Sequence, residues 1–294
     1  MTCKVTNMQT GFATKDGAGV SLIRVLGHDT VKTYDPILML DSFDSTNPND
    51  YTAGFPMHPH RGIETISYVF SGDMQHRDNL GFEDTVSNGE VQWMTAGSGI
   101  LHEEKVPAAD RLLGVQLWLN MPAANKMNDP EYHPIKNSDI KEIELDGAKL
   151  RLLAGRFPIK SFEEEELNDQ QVAKGFISKY SPFNYYDVSM QDGAVVDIPV
   201  PSDASVMIFT LLGSVKVGDT VVNPKTAAKI FSDGILKLEA TEGENKVLVI
   251  ISKALNEPVA WGGPIVMNNR DELDHAFQEL RNGTFIKSKM AIEK

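Results

Sequence analysis

The sequence holds one cysteine, Cys3, so no disulfide can form within the chain. A small fold that depends on such staples is excluded, and the usage suits a reducing compartment. The expected location is therefore cytoplasmic. Basic charge is also scarce: 28 Lys and Arg stand against 41 Asp and Glu, giving a net charge of -13. No window carries a dense Lys/Arg cluster, so direct contact with nucleic acid or an anionic membrane is not expected. Long apolar runs are missing as well; none approaches the roughly 20 residues that span a bilayer. Met1 to Thr10 lacks the apolar core of a signal peptide and reads as mature protein. With 41% hydrophobic residues among 294, the chain can still bury one large or two medium cores.

What is present is β-patterned. Val20 to Leu26 and Ile37 to Phe43 are short apolar runs with strand character, separated from the next by the polar loop Ser45 to Ala53. Glu64 to Phe70 alternates, with Ile66, Tyr68 and Phe70 on one face. A turn at Ser71-Gly72-Asp73 leads to Met74 to Asp78, expected as its paired strand. Further strands are expected at Val91 to Met94 and Leu113 to Leu119. Many short strands with regular turn signals imply a barrel or sandwich. Residues 122 to 140, rich in Pro, Asn and Asp, read as a linker between domains, and Leu150 to Ala154 starts fresh β structure. Glu163 to Glu166 is expected to be a solvated acidic run. Near the end, Asn269 can cap one helix with Leu273, Ala276, Phe277 and Leu280 as its apolar stripe and Asn282-Gly283 as its stop. His275 lies off that stripe and is expected at the surface.

Four of the seven histidines fall between His58 and His102. In an extended strand alternate side chains share a face, so His58 and His60 point together, as do His102 and Glu104. The turn Ala96-Gly97-Ser98-Gly99 aims the second pair. If the two strands meet, three imidazoles and a carboxylate converge on one point, which is a metal site with nitrogen and oxygen donors. A closed structural zinc site is the duller alternative, but such sites favour cysteine. A hydrogen-bonded polar cluster is another, and it would gather three histidines for no chemical return. His76, Glu64, Phe55, Met57 and Trp93 are candidate pocket residues. For His76 the plainer reading is a surface histidine; for Glu64, a spare ligand or a partner to the ligands; for Phe55, Met57, Trp93 and Met94, core packing. His28 and His133 sit in loop-like contexts and read as solvated.

The second half echoes the first. Val206 to Gly213 parallels Glu64 to Gly72, and Gly234 to Glu239 parallels Gly99 to Glu104. Counting back from the turn glycines sets Pro199 and Pro201 against His58 and His60, and Lys237 and Glu239 against His102 and Glu104. Proline and protonated lysine offer no lone pair to a metal. Between His133 and His275 there is no histidine, so the second barrel is expected to hold no metal.

His58-Pro59-His60-Arg61-Gly62, followed by Gln92-Trp93-Met94-Thr95-Ala96-Gly97-Ser98-Gly99-Ile100-Leu101-His102, resembles the pirin family of the cupin superfamily. The general cupin motifs fit less well, since Glu64 and Gly72 are spaced wider and Thr95 stands where proline is usual. The likeness continues through Gln116 to Asn120 and on to Gly263-Pro264-Ile265-Val266-Met267-Asn268, so it covers nearly the whole chain. It implies an all-β bicupin: two stacked antiparallel β-barrels of jelly-roll type with a short C-terminal helix. The expected division is 1–135 for a metal-binding barrel and 136–294 for a metal-free barrel with the helix. It also implies ligands His58, His60, His102 and Glu104 around one divalent ion, iron(II) first, with manganese, nickel, copper or zinc as alternatives. Glu64 is then not expected to coordinate.

Members of that family include quercetin-degrading enzymes and nuclear co-regulators. Two expectations follow. The first is a metal-dependent dioxygenase of the quercetin 2,3-dioxygenase type, using a small aromatic substrate and dioxygen, with Glu104 as both ligand and catalytic base. The second is a metal- or redox-responsive regulator that binds a protein partner without turnover.

Overall fold

A computed structural model describes residues 3–158 and 172–288; the acidic run Glu163 to Glu166 lies outside the described residues. The chain separates into two units. The first, which carries the histidines, comprises Phe12–Val31, Pro36–Lys136 and Leu255 onward; the second comprises the N-terminal residues to Gly11, Lys32–Asp35 and Asn137–Ala254.

The first unit contains a seven-stranded antiparallel sheet. Its order is Glu131–Ile135, Glu90–Thr95, Ile63–Ser71, Leu112–Asn120, Ile37–Ser45, Val20–Leu26 and Phe12–Asp16. A four-stranded sheet runs Phe55–His60, Ile100–Lys105, Met74–Asp78 and Glu83–Val86. Phe43, Val69 and Leu112 from the larger sheet pack with Phe55, Met74 and Val86 from the smaller. Each such aliphatic or aromatic side chain contributes roughly 1.5–3 kcal/mol on full burial. Met74 to Asp78 does not pair with Ile63–Ser71 as the hairpin reading expected. After the turn it crosses to the small sheet, beside Ile100–Lys105.

The second unit repeats this plan. A seven-stranded sheet runs Cys3–Thr10, Thr226–Ser232, Ser205–Leu212, Asn245–Ser252, Phe183–Met190, Ala148–Ala154 and Lys141–Leu145. A four-stranded sheet runs Val195–Pro199, Ile235–Ala240, Val215–Val217 and Thr220–Val222. Strand order matches position for position, with one substitution. The edge that Glu131–Ile135 fills in the first unit is filled in the second by the N-terminal strand Cys3–Thr10. Residues 122 to 140 are thus not simply a linker: they include that edge strand and the buried Lys126. The chain ends also depart from the expected division, because the N-terminal strand joins the second unit and the helix joins the first.

Pairing in the second unit corrects the correspondence drawn from glycine counting. Ile235 sits opposite Pro199, as Ile100 sits opposite His60, so Asp197 rather than Pro199 occupies the place of His58. The side chains that enter the core there are Val196, Ile198, Leu236 and Leu238.

The helix Arg270–Asn282 is capped as its sequence predicts. Asn269 Oδ1 accepts from the Glu272 amide at 2.9 Å, and Gly283 closes it with φ 71°. Leu273 and Ala276 are buried, Phe277 and Leu280 pack beside them, and His275 is exposed. Among the described residues no helix is long and apolar enough to cross a membrane.

Candidate metal centre

Two neighbouring strands of the small sheet build the site. Phe55–His60 pairs antiparallel with Ile100–Lys105, placing His102 opposite His58 and Ile100 opposite His60. The glycine turn between Thr95 and Ile100 directs the second strand, with Gly97 and Gly99 at positive φ. The ligand nitrogens of His58, His60 and His102 lie within 4.8 Å of one another, the one such group of three among the described residues. His60 and His102 are buried, whereas His58 is half-buried beside exposed Met57, so the group opens to solvent on that side.

Hydrogen bonds fix which nitrogen each ring presents. His58 Nδ1 lies 2.9 Å from Pro56 O and His60 Nδ1 lies 3.0 Å from Pro264 O. A carbonyl oxygen only accepts, so each Nδ1 carries the proton and each Nε2 keeps its lone pair. Those two Nε2 atoms face one another at 3.0 Å. His102 Nδ1 is 3.4 Å from His76 Nδ1, and His76 Nε2 reaches Asp78 Oδ2 at 2.9 Å. Asp78 therefore accepts from His76 Nε2–H, His76 Nδ1 accepts from His102 Nδ1–H, and His102 Nε2 is left with a lone pair. That atom is buried and has no hydrogen-bond partner. Burial, helped by the neighbouring His58, holds His60 down to about 3. Burial and the surrounding histidines push His102 well below the usual imidazole range. Three neutral imidazoles with converging lone pairs, without thiolate, fit a first-row divalent metal.

Glu104 is buried on the same strand as His102. Its Oε1 accepts from Gln92 Nε2 at 2.6 Å and its Oε2 from Gln116 Nε2 at 3.0 Å. The carboxylate is not part of the three-histidine group. Gln92 and Gln116 come from strands of the large sheet. Sequence reasoning missed both, because their approach depends on strand order rather than local spacing.

The other candidates resolve separately. His76 is buried rather than at the surface, stacked on Tyr132 with ring centroids 4.1 Å apart. Its strand alternates buried and exposed, and Met74, His76 and Asp78 share the inward face. Glu64 is buried and accepts from Thr95 Oγ1 at 2.6 Å and Trp93 Nε1 at 3.1 Å; burial pushes its carboxyl up despite those bonds. It is a partner of core residues and not part of the three-histidine group. Phe55 belongs to the hydrophobic core and Trp93 is fully buried, while Met57 is exposed. His28 is exposed as expected but stacks on Trp261 at 3.9 Å. His133 lies in an edge strand beside Glu131 rather than in a loop. Half-buried Trp118, unremarked in the sequence, sets its ring edge-on to His60 at 5.0 Å.

Comparison with known proteins agrees with this geometry. Residues 19–119 match the family described as Pirin, and 185–286 match the Pirin C-terminal cupin domain. A Pseudomonas aeruginosa protein, named only provisionally as a quercetin 2,3-dioxygenase, is 38% identical over 95% of this chain and 96% of its own. A pirin-like protein of Caulobacter vibrioides is 36% identical over 96% of this chain and 98% of its own. The crystal structure of a quercetin 2,3-dioxygenase from Acinetobacter baumannii superposes with a TM-score of 0.84 at 32% identity, covering 97% of this chain and 99% of that one. With two matching domains, a repeated antiparallel β plan and a histidine group in the first unit, the chain belongs to the pirin family, a bicupin branch of the cupin proteins.

Proposed function

We propose that the chain is a metal-dependent dioxygenase of the quercetin 2,3-dioxygenase type, acting on a flavonol or related small aromatic. The observation that carries this reading is the convergence of three neutral imidazoles on a point open beside His58, with His102 Nε2 buried and unsatisfied. The likeness to the Acinetobacter quercetin 2,3-dioxygenase supports the choice of substrate class.

His58, His60 and His102 would hold one divalent ion, with Glu104 as fourth ligand; iron(II) suits the donor set, and manganese, nickel, copper and zinc are the alternatives. When bound, the ion supplies Lewis acidity toward the substrate hydroxyl and a binding position for dioxygen. The protein's part is orientation and proton handling. Pro56 O and Pro264 O keep the His58 and His60 rings in the tautomer that leaves Nε2 free. Gln92 and Gln116 hold the Glu104 carboxylate in place, and Glu104 accepts the proton released by the flavonol hydroxyl. Trp118 supplies a flat apolar wall beside His60 against which an aromatic ring can lie.

The test is spectroscopic. Protein loaded with iron(II), manganese, copper or nickel and mixed with quercetin under air should bleach its visible absorbance with matching oxygen uptake, and Glu104→Gln should slow this at least 100-fold. Stable absorbance with all four metals would remove quercetin as substrate.

A further inference from the structure

After the second unit the chain returns to the first, and its last described segment wraps the metal-site loops. His60 Nδ1 donates to Pro264 O. The next residue, Arg61, is fully buried and each of its guanidinium nitrogens makes a hydrogen bond there. Nε donates to Ser98 O, one terminal nitrogen to Glu279 Oε2 and the other to Phe285 O, each at 2.7 Å. The guanidinium carbon also lies 4.1 Å from the centre of the Phe285 ring. Arg61 O in turn accepts from the Val266 amide. Gly62 is so close to the returning segment that a Cβ there would sit 2.0 Å from Val266 O, and a Cβ on Gly99 would meet Phe285 at 3.0 Å.

Ser98 belongs to the glycine turn that aims His102, and Arg61 follows His60 directly. One buried side chain thus ties both ligand-bearing arms to a helix residue and to the backbone just beyond the helix. A charged group this deep is costly unless it is paired and hydrogen-bonded, and here each of its three nitrogens has an acceptor: Ser98 O, Glu279 Oε2 and Phe285 O.

We infer that Arg61, with Glu279 and Phe285, is a positioning lock that couples docking of the C-terminal segment to metal binding at His58, His60 and His102. The inference rests on the metal reading of those histidines, not on any particular reaction. Coupling is reciprocal: if the docked segment tightens the grip on the metal, the metal must tighten the segment by the same factor.

The experiment uses the full chain and nickel(II) as probe, with affinity from chelator competition and hydrogen exchange followed along Arg270–Asn282. In the unsubstituted protein, nickel should slow exchange of the helix amides. Arg61→Met should weaken nickel binding about 10- to 100-fold, as loss of a residue that orients a ligand does, and should abolish that slowing. Glu279→Gln, which keeps the shape and removes one charge, should move both readouts the same way by a smaller factor, and it carries the test if Arg61→Met fails to fold. Unchanged nickel affinity in the variants, or helix exchange indifferent to nickel in the parent, would overturn the lock. Absence of nickel binding by the parent itself would overturn the metal reading and the lock together.

Discussion

His76 Nδ1 lies 3.4 Å from His102 Nδ1, and Asp78 anchors the far side of the His76 ring. This chain of carboxylate, imidazole and imidazole leaves His102 only one nitrogen with which to bind a metal. Such partners of metal-bound histidines typically account for 10- to 100-fold in affinity. His76→Phe should fill the same space against Tyr132 yet lower nickel(II) affinity by about that factor, measured by chelator competition. Unaltered affinity would mean that His102 needs no help to choose its tautomer.

Glu64 gives a pH-dependent prediction. Burial raises its carboxyl above the ordinary range, so the folded chain holds that proton at pH values where the unfolded chain has released it. The stability from this group is fully present below the unfolded pKa of about 4.3 and is lost as pH rises through the folded value. Glu64→Gln keeps an acceptor for Thr95 and Trp93 but cannot ionise. Urea denaturation of the metal-free protein should therefore show the variant gaining on its parent as pH rises from 4 to 8. Nickel affinity should stay within about twofold, because Glu64 is not in the histidine group and bonds to Thr95 and Trp93 instead. A constant difference across pH would contradict the account.

Gly62 and Gly263 share a left-handed backbone, with φ 77° and 52°, but differ in surroundings. A methyl group at Gly263 would meet nothing within 4 Å, whereas one at Gly62 would collide with Val266 O. Gly263→Ala should cost about 1 kcal/mol for the backbone alone. Gly62→Ala should cost at least about 2 kcal/mol more and should weaken metal binding by displacing the segment next to His60. Equal destabilisation in chemical denaturation would show that the close approach carries no weight.

Much of the site was legible because it depends on local rules. The His-x-His pair and the glycine turn before His102 are read from the two-residue period of a strand and the left-handed freedom of glycine. The repeated order of strands was foreshadowed by the echo of Glu64–Gly72 in Val206–Gly213. What could not be read depends on distant partners. Nothing near Cys3 to Thr10 says that this strand will fill an edge against Thr226–Ser232. Arg61 looks like any surface arginine until Glu279 and Phe285 arrive from the far end of the chain. His76 is the exception, since Met74, His76 and Asp78 already marked an inward face with a carboxylate placed to satisfy the imidazole. Glu104, expected as a fourth ligand and base, is buried on the His102 strand, and the two amide donors that hold its carboxylate belong to the opposite sheet, beyond the reach of local spacing.

The central claim is that two strands of the first unit grip one ion, and metal stoichiometry tests it most directly. Elemental analysis after loading with iron(II) or nickel(II) should find one equivalent per chain, with His102→Ala reduced to background while its far-ultraviolet circular dichroism is unchanged. An unsubstituted protein that retains no metal, or a His102→Ala variant that retains a full equivalent, would contradict it.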